Sequence, residues 1–353
     1  KERLKEFNPL MTLRYSATDK LDSVYNMIYR LDAMDAYNKK LVKKIAVKGI
    51  SQTGTTATEG YVYLESVNLS KGNPTATIES DLKGSTGIRK ARRTVDEGYN
   101  LFAQSGELNE YADGFTVLRI DGRDSSIEFT NGRKLYAGDV IGKVSEDQLR
   151  RIQIRETILT HIERERQLFY KGIKVLSLFF IDEVARYRQY DEAGQAANGE
   201  YARVFEEEYN QIIGHLQREM GDEGYIRYLD SITAGRTHAG YFSIDKKSSR
   251  MVDSKLGDRK ERTSDDSDAY DLIMKNKERL LDRREPVRFI FSHSALREGW
   301  DNPNVFQICT LKQSGSDVRK RQEVGRGLRL CVNQGGERMD TNLLGDDVHN
   351  VNM

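Results

Sequence analysis

The run Val175–Ile181, VLSLFFI, constrains the chain most: six of its seven residues are apolar and Ser177 alone is polar. It is far too short to cross a bilayer, which takes about 20 residues, and it lacks the alternation of a strand with one wet face. A strand that is apolar on both sides needs cover on both sides, the condition of a parallel sheet flanked by helices. The neighbouring segments supply that cover. Upstream, SEDQ (145 to 148) gives a capping box, Ser145 with Gln148, at the head of a helix predicted over 145 to 171 and closed by Gly172. Downstream come a charged helical segment (190 to 235), the strand GYFSID (240 to 245), a charged loop (246 to 265) and a helix (266 to 283). The strands VRFIF (287 to 291) and VFQICTL (305 to 311) follow, and then a last helix. Alternating strands and helices predict an α/β fold built on a parallel sheet.

Before this block the period changes. Residues 22 to 48 place Val24, Ile28, Leu31, Met34, Leu41 and Ile45 at helical spacing and end in Gly49, which predicts one helix or two. From 50 to 142 the period is two: YVYLESV, PTATIESDL, GFTVLRIDG and SSIEFTNGRKLYAGD alternate apolar and polar residues around Gly and Asn-Gly turns. That pattern predicts an inserted β-rich subdomain. At its centre IRKARRTVDEGYN carries Arg89, Lys90, Arg92 and Arg93, read as a solvated loop or, alternatively, as a nucleic-acid contact.

Charged residues make up 31% of the 353, yet the net charge is +1, so nucleic-acid affinity would have to come from local patches. Cys309 and Cys331 have no CxxC partner and the five histidines no ligand spacing, so no metal site is assigned and a reducing compartment is expected. The charged N-terminus has no signal-peptide core, and the absence of an initiator methionine suggests a piece of a longer protein.

The last helix carries RQEVGRGLRL (321 to 330). Helical spacing would put Arg326 and Arg329 on one face, able to converge on one anion such as a phosphate. A nucleotide site also needs a Gly-rich loop with a lysine, and no GxxxxGK[ST] is present; GDVIGKV (138 to 144) has the wrong spacing and Val144 where a hydroxyl is needed. Asp182 and Glu183 imitate an acidic metal-binding strand end but are assigned to the opening strand of the domain. In SHSALREGWDNPNVFQI, Gly299 and Asp301 fall in a loop at the carboxyl edge of a parallel strand, where ligands bind in such sheets.

The order strand, Gly-x-Asp loop, strand, helix with Gln-x-x-Gly-Arg-x-x-Arg resembles motifs V and VI in the second RecA-like domain of superfamily 2 helicases. LRYSAT, with Ser16, Ala17 and Thr18, resembles motif III, the last motif of the first RecA-like domain. The likeness extends further: NPLMTLRYSAT, KGIKVLSLFFIDEVARYR and FIFSHSALREGWDNPNVFQICTLKQSGSDVRKRQEVGRGLRLCVNQGGERMD, with most of the remaining chain, resemble the Res subunit of type III restriction-modification enzymes. The resemblance implies an ATP-dependent DNA motor that acts with a DNA methyltransferase (Mod) subunit on double-stranded DNA in the prokaryotic cytoplasm, with no membrane partner.

On that resemblance Arg326 and Arg329 would contact the γ-phosphate of MgATP. Gln322 and Gly325 would shape their loop, Gly299 and Asp301 would line the nucleotide side of the cleft, and Ser16, Ala17 and Thr18 would couple nucleotide state to domain movement. Most Mg2+ ligands and the Walker motifs are expected outside the chain, which alone should be a poor ATPase, and no nuclease residues are assigned. The expected division is residues 1–20 (end of the first RecA-like domain), 21–49 (linker helices), 50–142 (β-rich insertion) and 143–353 (second RecA-like domain). Rival readings are another superfamily 2 DNA-repair or RNA helicase, or a non-catalytic RecA-like nucleic-acid-binding module.

Overall fold

The computed structural model describes residues 6, 8, 10–13, 15, 26–53, 60–69, 72–219, 223–244, 251–252, 277–293, 302–312, 317–340 and 350–352. Its centre is a six-stranded sheet in which every pairing is parallel. The spatial order is Lys44–Ala46, Asn350–Asn352, Val305–Thr310, Leu176–Phe180, Phe289–Ser292 and His238–Tyr241.

The apolar run forms the strand Leu176–Phe180, buried at every position between two partners. Its side chains divide by parity, as a strand's pleat requires. Phe179 and Ile181 join Phe289, Phe291, Cys309 and Leu311 in one core, with Ile154, Ile158, Phe205 and Tyr209 from the covering helices. Leu176, Leu178 and Phe180 join Ile290, Val305, Ile308 and Leu280 in the other. The rings of Phe179 and Phe291, which are register partners, stack with centroids 4.5 Å apart. The first core is closed by the helix Glu146–Phe169, whose Ser145–Gln148 capping box is formed on both sides, and by the helix Glu200–Glu219.

The β-rich insertion forms two sheets. One has the order Gln52–Thr53, Val140–Ile141, Val62–Asn68, Thr75–Gly84, Gly87–Val95; the other joins Val117–Asp121, Ser126–Phe129 and Lys134–Tyr136. They share a core of Leu64, Ile78, Leu101, Phe115, Ile127 and Phe129 among others. The fold is therefore α/β: a parallel sheet flanked by helices, as in a RecA-like domain, with an inserted β-rich subdomain.

Three expectations are corrected. The basic run is not a loop: Arg89, Lys90, Arg92 and Arg93 lie within the strand Gly87–Val95, paired along its whole length with Thr75–Gly84 and forming the edge of its sheet. Charged side chains are well suited to such an edge because they discourage pairing with another chain. Residues 22 to 48 do not form long helices where they are described. Only Ala33–Asn38 is helical, capped by the Asp32 carboxylate on the Asp35 N–H, and Lys44–Ala46 joins the parallel sheet instead. Ile28, Leu31, Met34 and Leu41 are exposed, so helical spacing there has no described face to bury and short helices gain little without one. The strand expected over LMTLRYSAT is likewise absent from residues 10–13, where Leu10, Met11 and Leu13 are exposed.

Candidate functional site

Parallel sheets bind ligands at the carboxyl edge, where neighbouring strands send their connections in opposite directions. Here that point lies between Leu176–Phe180 and Val305–Thr310. The first connects onward to the edge strand His238–Tyr241, and the second to Asn350–Asn352 on the other side. Leu311 N–H donates to the Phe180 carbonyl at 2.8 Å, so the two strands stay in register past their formal ends.

Two charged groups flank this point. Just past the strand Leu176–Phe180, and not within it as expected, Asp182 Oδ1 accepts from the Glu183 N–H at 3.0 Å and the Tyr201 hydroxyl at 3.3 Å, with Arg186 Nε 3.8 Å from Oδ2. Arg186 also approaches Glu200 at 3.3 Å and Asp147 at 3.5 Å. Just past the strand Val305–Thr310, Lys312 Nζ lies 2.8 Å from Glu323 Oε1 and 5.1 Å from the centre of the Phe180 ring. Glu323 belongs to the helix Asp317–Gly325.

That helix ends at Gly325, so Arg326 and Arg329 follow it rather than share a helical face. Arg326 sits half-buried in the turn that closes it, and Arg329 is exposed. By Leu328 the main chain has reached the outer strand, where its carbonyl accepts from the Lys43 N–H at 2.7 Å. The regular α-helical register expected for the pair is lost because the helix gives way after Gly325 to a turn, in which Gly327 N–H donates to the Val324 carbonyl at 3.0 Å and Leu328 N–H to that of Gly325 at 3.5 Å. Gly325 itself has no left-handed φ, and a Cβ there would meet no heavy atom within 4 Å, so the local backbone does not require glycine. Gln322 lies on the same helix. Gly299, Asp301, Ser16, Ala17 and Thr18 lie outside the described residues.

The basic strand borders a groove of about 600 Å3 between the insertion and the helices Glu146–Phe169 and Glu200–Glu219. Its walls include Arg89, Lys90, Arg92, Arg93, Arg151 and Arg155. Most of these cations are neutralised within the chain. Lys90 pairs with Asp81 at 3.3 Å and Arg92 with Glu65; Arg151 pairs with Glu207 and Glu208. Arg155, buried, donates to Glu208 at 2.6 Å and Glu79 at 2.7 Å and lies 3.9 Å from Glu65. Burial pushes the Glu65 carboxyl up to about 7, against the pull of Arg92 and Arg155. Burial also acts to raise Glu79, but Arg155 and the Tyr61 hydroxyl hold it below its ordinary value. Among the described residues Arg89 makes no ion pair, and Arg93 meets only neutral acceptors, the Tyr99 hydroxyl and the Gln104 carbonyl. Of the four cations read from sequence as a solvated loop or a nucleic-acid contact, two thus make no ion pair among the described residues.

A buried line, Ser177–His161–Glu165, imitates a hydrolytic triad. His161 Nδ1 is 2.7 Å from Ser177 Oγ, and Nε2 is 3.8 Å from Glu165 Oε1. The Ser177 hydroxyl donates to Gln307 Oε1 at 3.1 Å, so its hydrogen is committed to that amide oxygen rather than offered to His161 as in a triad. Both residues are fully buried, and the line is a structural hydrogen-bond chain beneath the sheet. Sequence reasoning missed it, the Arg155 hub and the Lys312–Glu323 pair; burial of charged helix residues leaves no mark in the apolar pattern.

No protein-family model matches the chain. Among curated proteins it is 34% identical over 339 residues to the type III restriction-modification enzyme EcoP15I Res subunit of Escherichia coli, across 94% of this chain and 31% of that protein. It is 33% identical over 339 residues to the EcoPI Res subunit of Escherichia phage P1, with the same coverage. To the StyLTI Res subunit of Salmonella typhimurium it is 31% identical over 379 residues, across 95% of this chain and 34% of that protein. The chain thus spans about a third of the length of these relatives. With its parallel sheet and inserted β-rich subdomain, it is a Res-subunit-like chain, similar over about 94% of its length to type III restriction-modification Res subunits.

Proposed function

We propose that this chain is the second RecA-like domain of a DNA-dependent ATPase motor, which drives ATP-dependent DNA cleavage together with a methyltransferase partner. The observation that carries the reading is the turn after Asp317–Gly325. It brings Arg326 out of a helix anchored at the carboxyl edge of a parallel sheet, in a chain similar to Res subunits over 94% of its length. Arg326 and Arg329 would stabilise charge developing on the transferred phosphoryl group of ATP. Gln322 and Gly325 would shape the turn, Gly299 and Asp301 would line the nucleotide, and Ser16 to Thr18 would couple its state to domain movement. The Mg2+ ligands and the phosphate-binding lysine would come from other parts of the parent protein. DNA would be met chiefly through phosphates, with base recognition left to the methyltransferase.

The test is DNA-stimulated ATP hydrolysis by the intact parent protein with its methyltransferase partner. Arg326→Ala and Arg329→Ala should lower turnover at saturating ATP by roughly 10³-fold or more while ATP still binds. Unchanged turnover would show the arginines to be structural and remove the reading.

A further inference from the structure

We infer that Lys312 and Glu323 form a positioning pair that sets the direction of Arg326; the inference rests on the reading of Arg326 given above. Lys312 is held first. Its preceding residue is hydrogen-bonded to the central strand through Leu311 N–H and the Phe180 carbonyl, and its ammonium lies over the Phe180 ring. Its base is therefore fixed to the most buried element of the fold.

Glu323 is held next. Lys312 Nζ lies 2.8 Å from its Oε1, and the two side chains are 10% and 1% exposed. Taking both charges out of water is costly, so such a pair is a poor source of stability and is better explained by the geometry it specifies. That geometry passes directly to Arg326, whose N–H donates to the Glu323 carbonyl at 3.3 Å. Gly327 N–H closes on Val324 at 3.0 Å. One residue thus has its side chain tied to the sheet edge and its carbonyl tied to the arginine. Rotation of the last helical turn, which would swing Arg326, requires breaking a buried ion pair.

The pair matters to catalysis because arginine stabilisation depends on placement, and a misplacement of about 1 Å costs on the order of 100-fold in rate. The experiment uses the intact parent protein with its methyltransferase partner and compares Lys312→Met, Glu323→Gln, Lys312→Arg and Arg326→Ala with wild type. Kinetics are taken at a temperature where thermal melting shows every variant folded. Lys312→Met and Glu323→Gln are expected to lower kcat by about tenfold to 100-fold with little change in KM for ATP. Lys312→Arg, which keeps a cation for Glu323, should recover most of the rate.

Wild-type kcat in Lys312→Met and Glu323→Gln, with turnover abolished in Arg326→Ala, would overturn the positioning role and leave the arginine reading standing. A loss matched by the loss of folded protein would also overturn it. Wild-type turnover in Arg326→Ala would instead remove the arginine reading on which the inference rests.

Discussion

Arg155 Nη2 donates to Glu79 Oε2 at 2.7 Å across the seam between the inserted sheet and the helices of the parallel sheet. The same guanidinium holds Glu208 through Nε at 2.6 Å, so one buried side chain joins a strand of the insertion to two helices of the core. Lys48 and the Tyr63 hydroxyl add a second clasp by meeting on Glu156. The insertion is thereby bolted to the long helix rather than hung from its two chain crossings.

Removing one partner of a buried ionic cluster strands the others. Arg155→Met should therefore destabilise the protein by about 3–5 kcal/mol in urea unfolding. Hydrogen exchange should rise first in Thr75–Gly84 and in Glu200–Glu219, the elements carrying Glu79 and Glu208. A loss below about 1 kcal/mol, the size of an exposed pair, would mean the seam is held by something else.

Glu65 makes this seam sensitive to pH. Its ordinary value is 4.5 and burial pushes it up to about 7, so the folded state binds an extra proton between those limits. Its contribution is full below pH 4.5 and is lost as pH rises through 7. Glu65→Gln cannot ionise. The stability of wild type relative to this variant should therefore fall by up to about 3 kcal/mol between pH 5 and pH 8, read from paired urea titrations. A difference that stays flat across that range would show Glu65 to be ionised throughout.

Acid should act on the other polar cluster with the opposite sign. Burial depresses His161 and His238 below their ordinary 6.5, so the unfolded chain takes up their protons first and stability drops as pH falls below 6.5. Burial would raise Glu165, but Arg288 and His161 hold it down to about 2, which extends the loss from pH 4.5 towards 2. The His161 ring packs against Phe289 with centroids 4.1 Å apart, a setting that accepts an apolar ring. His161→Phe should partly flatten the limb between pH 6.5 and 5 in thermal melts, leaving the share of His238, and should lessen the loss below 4.5 only by the part His161 adds to the hold of Arg288 on Glu165. An unaltered upper limb would assign that loss elsewhere.

The parts of this fold legible in the sequence are those that a repeating apolar period describes. VLSLFFI predicts the central strand because only a strand covered on both faces is apolar at both parities, and Ser145 with Gln148 predicts the helix that covers it. The basic strand was not legible, since four cations in five residues hide a period-two pattern whose partners, Asp81 and Glu65, lie on other strands. Arg155 was illegible for the same reason: in RIQIRETILTHIERERQLF charged residues alternate with apolar ones all round the helix. A sequence does not say which charges face the seam. The arginine turn was half legible. Its residue types point to phosphate, but helical spacing placed both arginines on one face, whereas the helix stops at Gly325.

The internal pairing of the basic strand separates two kinds of cation that look alike in sequence. If the groove meets DNA, the phosphates are met by Arg89 and Arg93, which make no ion pair among the described residues, and not by Lys90 and Arg92, which hold Asp81 and Glu65. In the parent protein, Arg89→Gln and Arg93→Gln should each reduce the slope of log affinity against log salt by about 1, uniformly across DNA sequences, with melting temperature unchanged. Arg92→Gln should do the reverse, leaving the salt slope alone and lowering stability because it removes the ionic partner of the buried Glu65 carboxyl, which must then take up a proton to stay buried. Equal salt slopes for wild type, Arg89→Gln and Arg93→Gln would remove DNA from the groove. The cations would then be left with the protective role that their place on an edge strand already gives them.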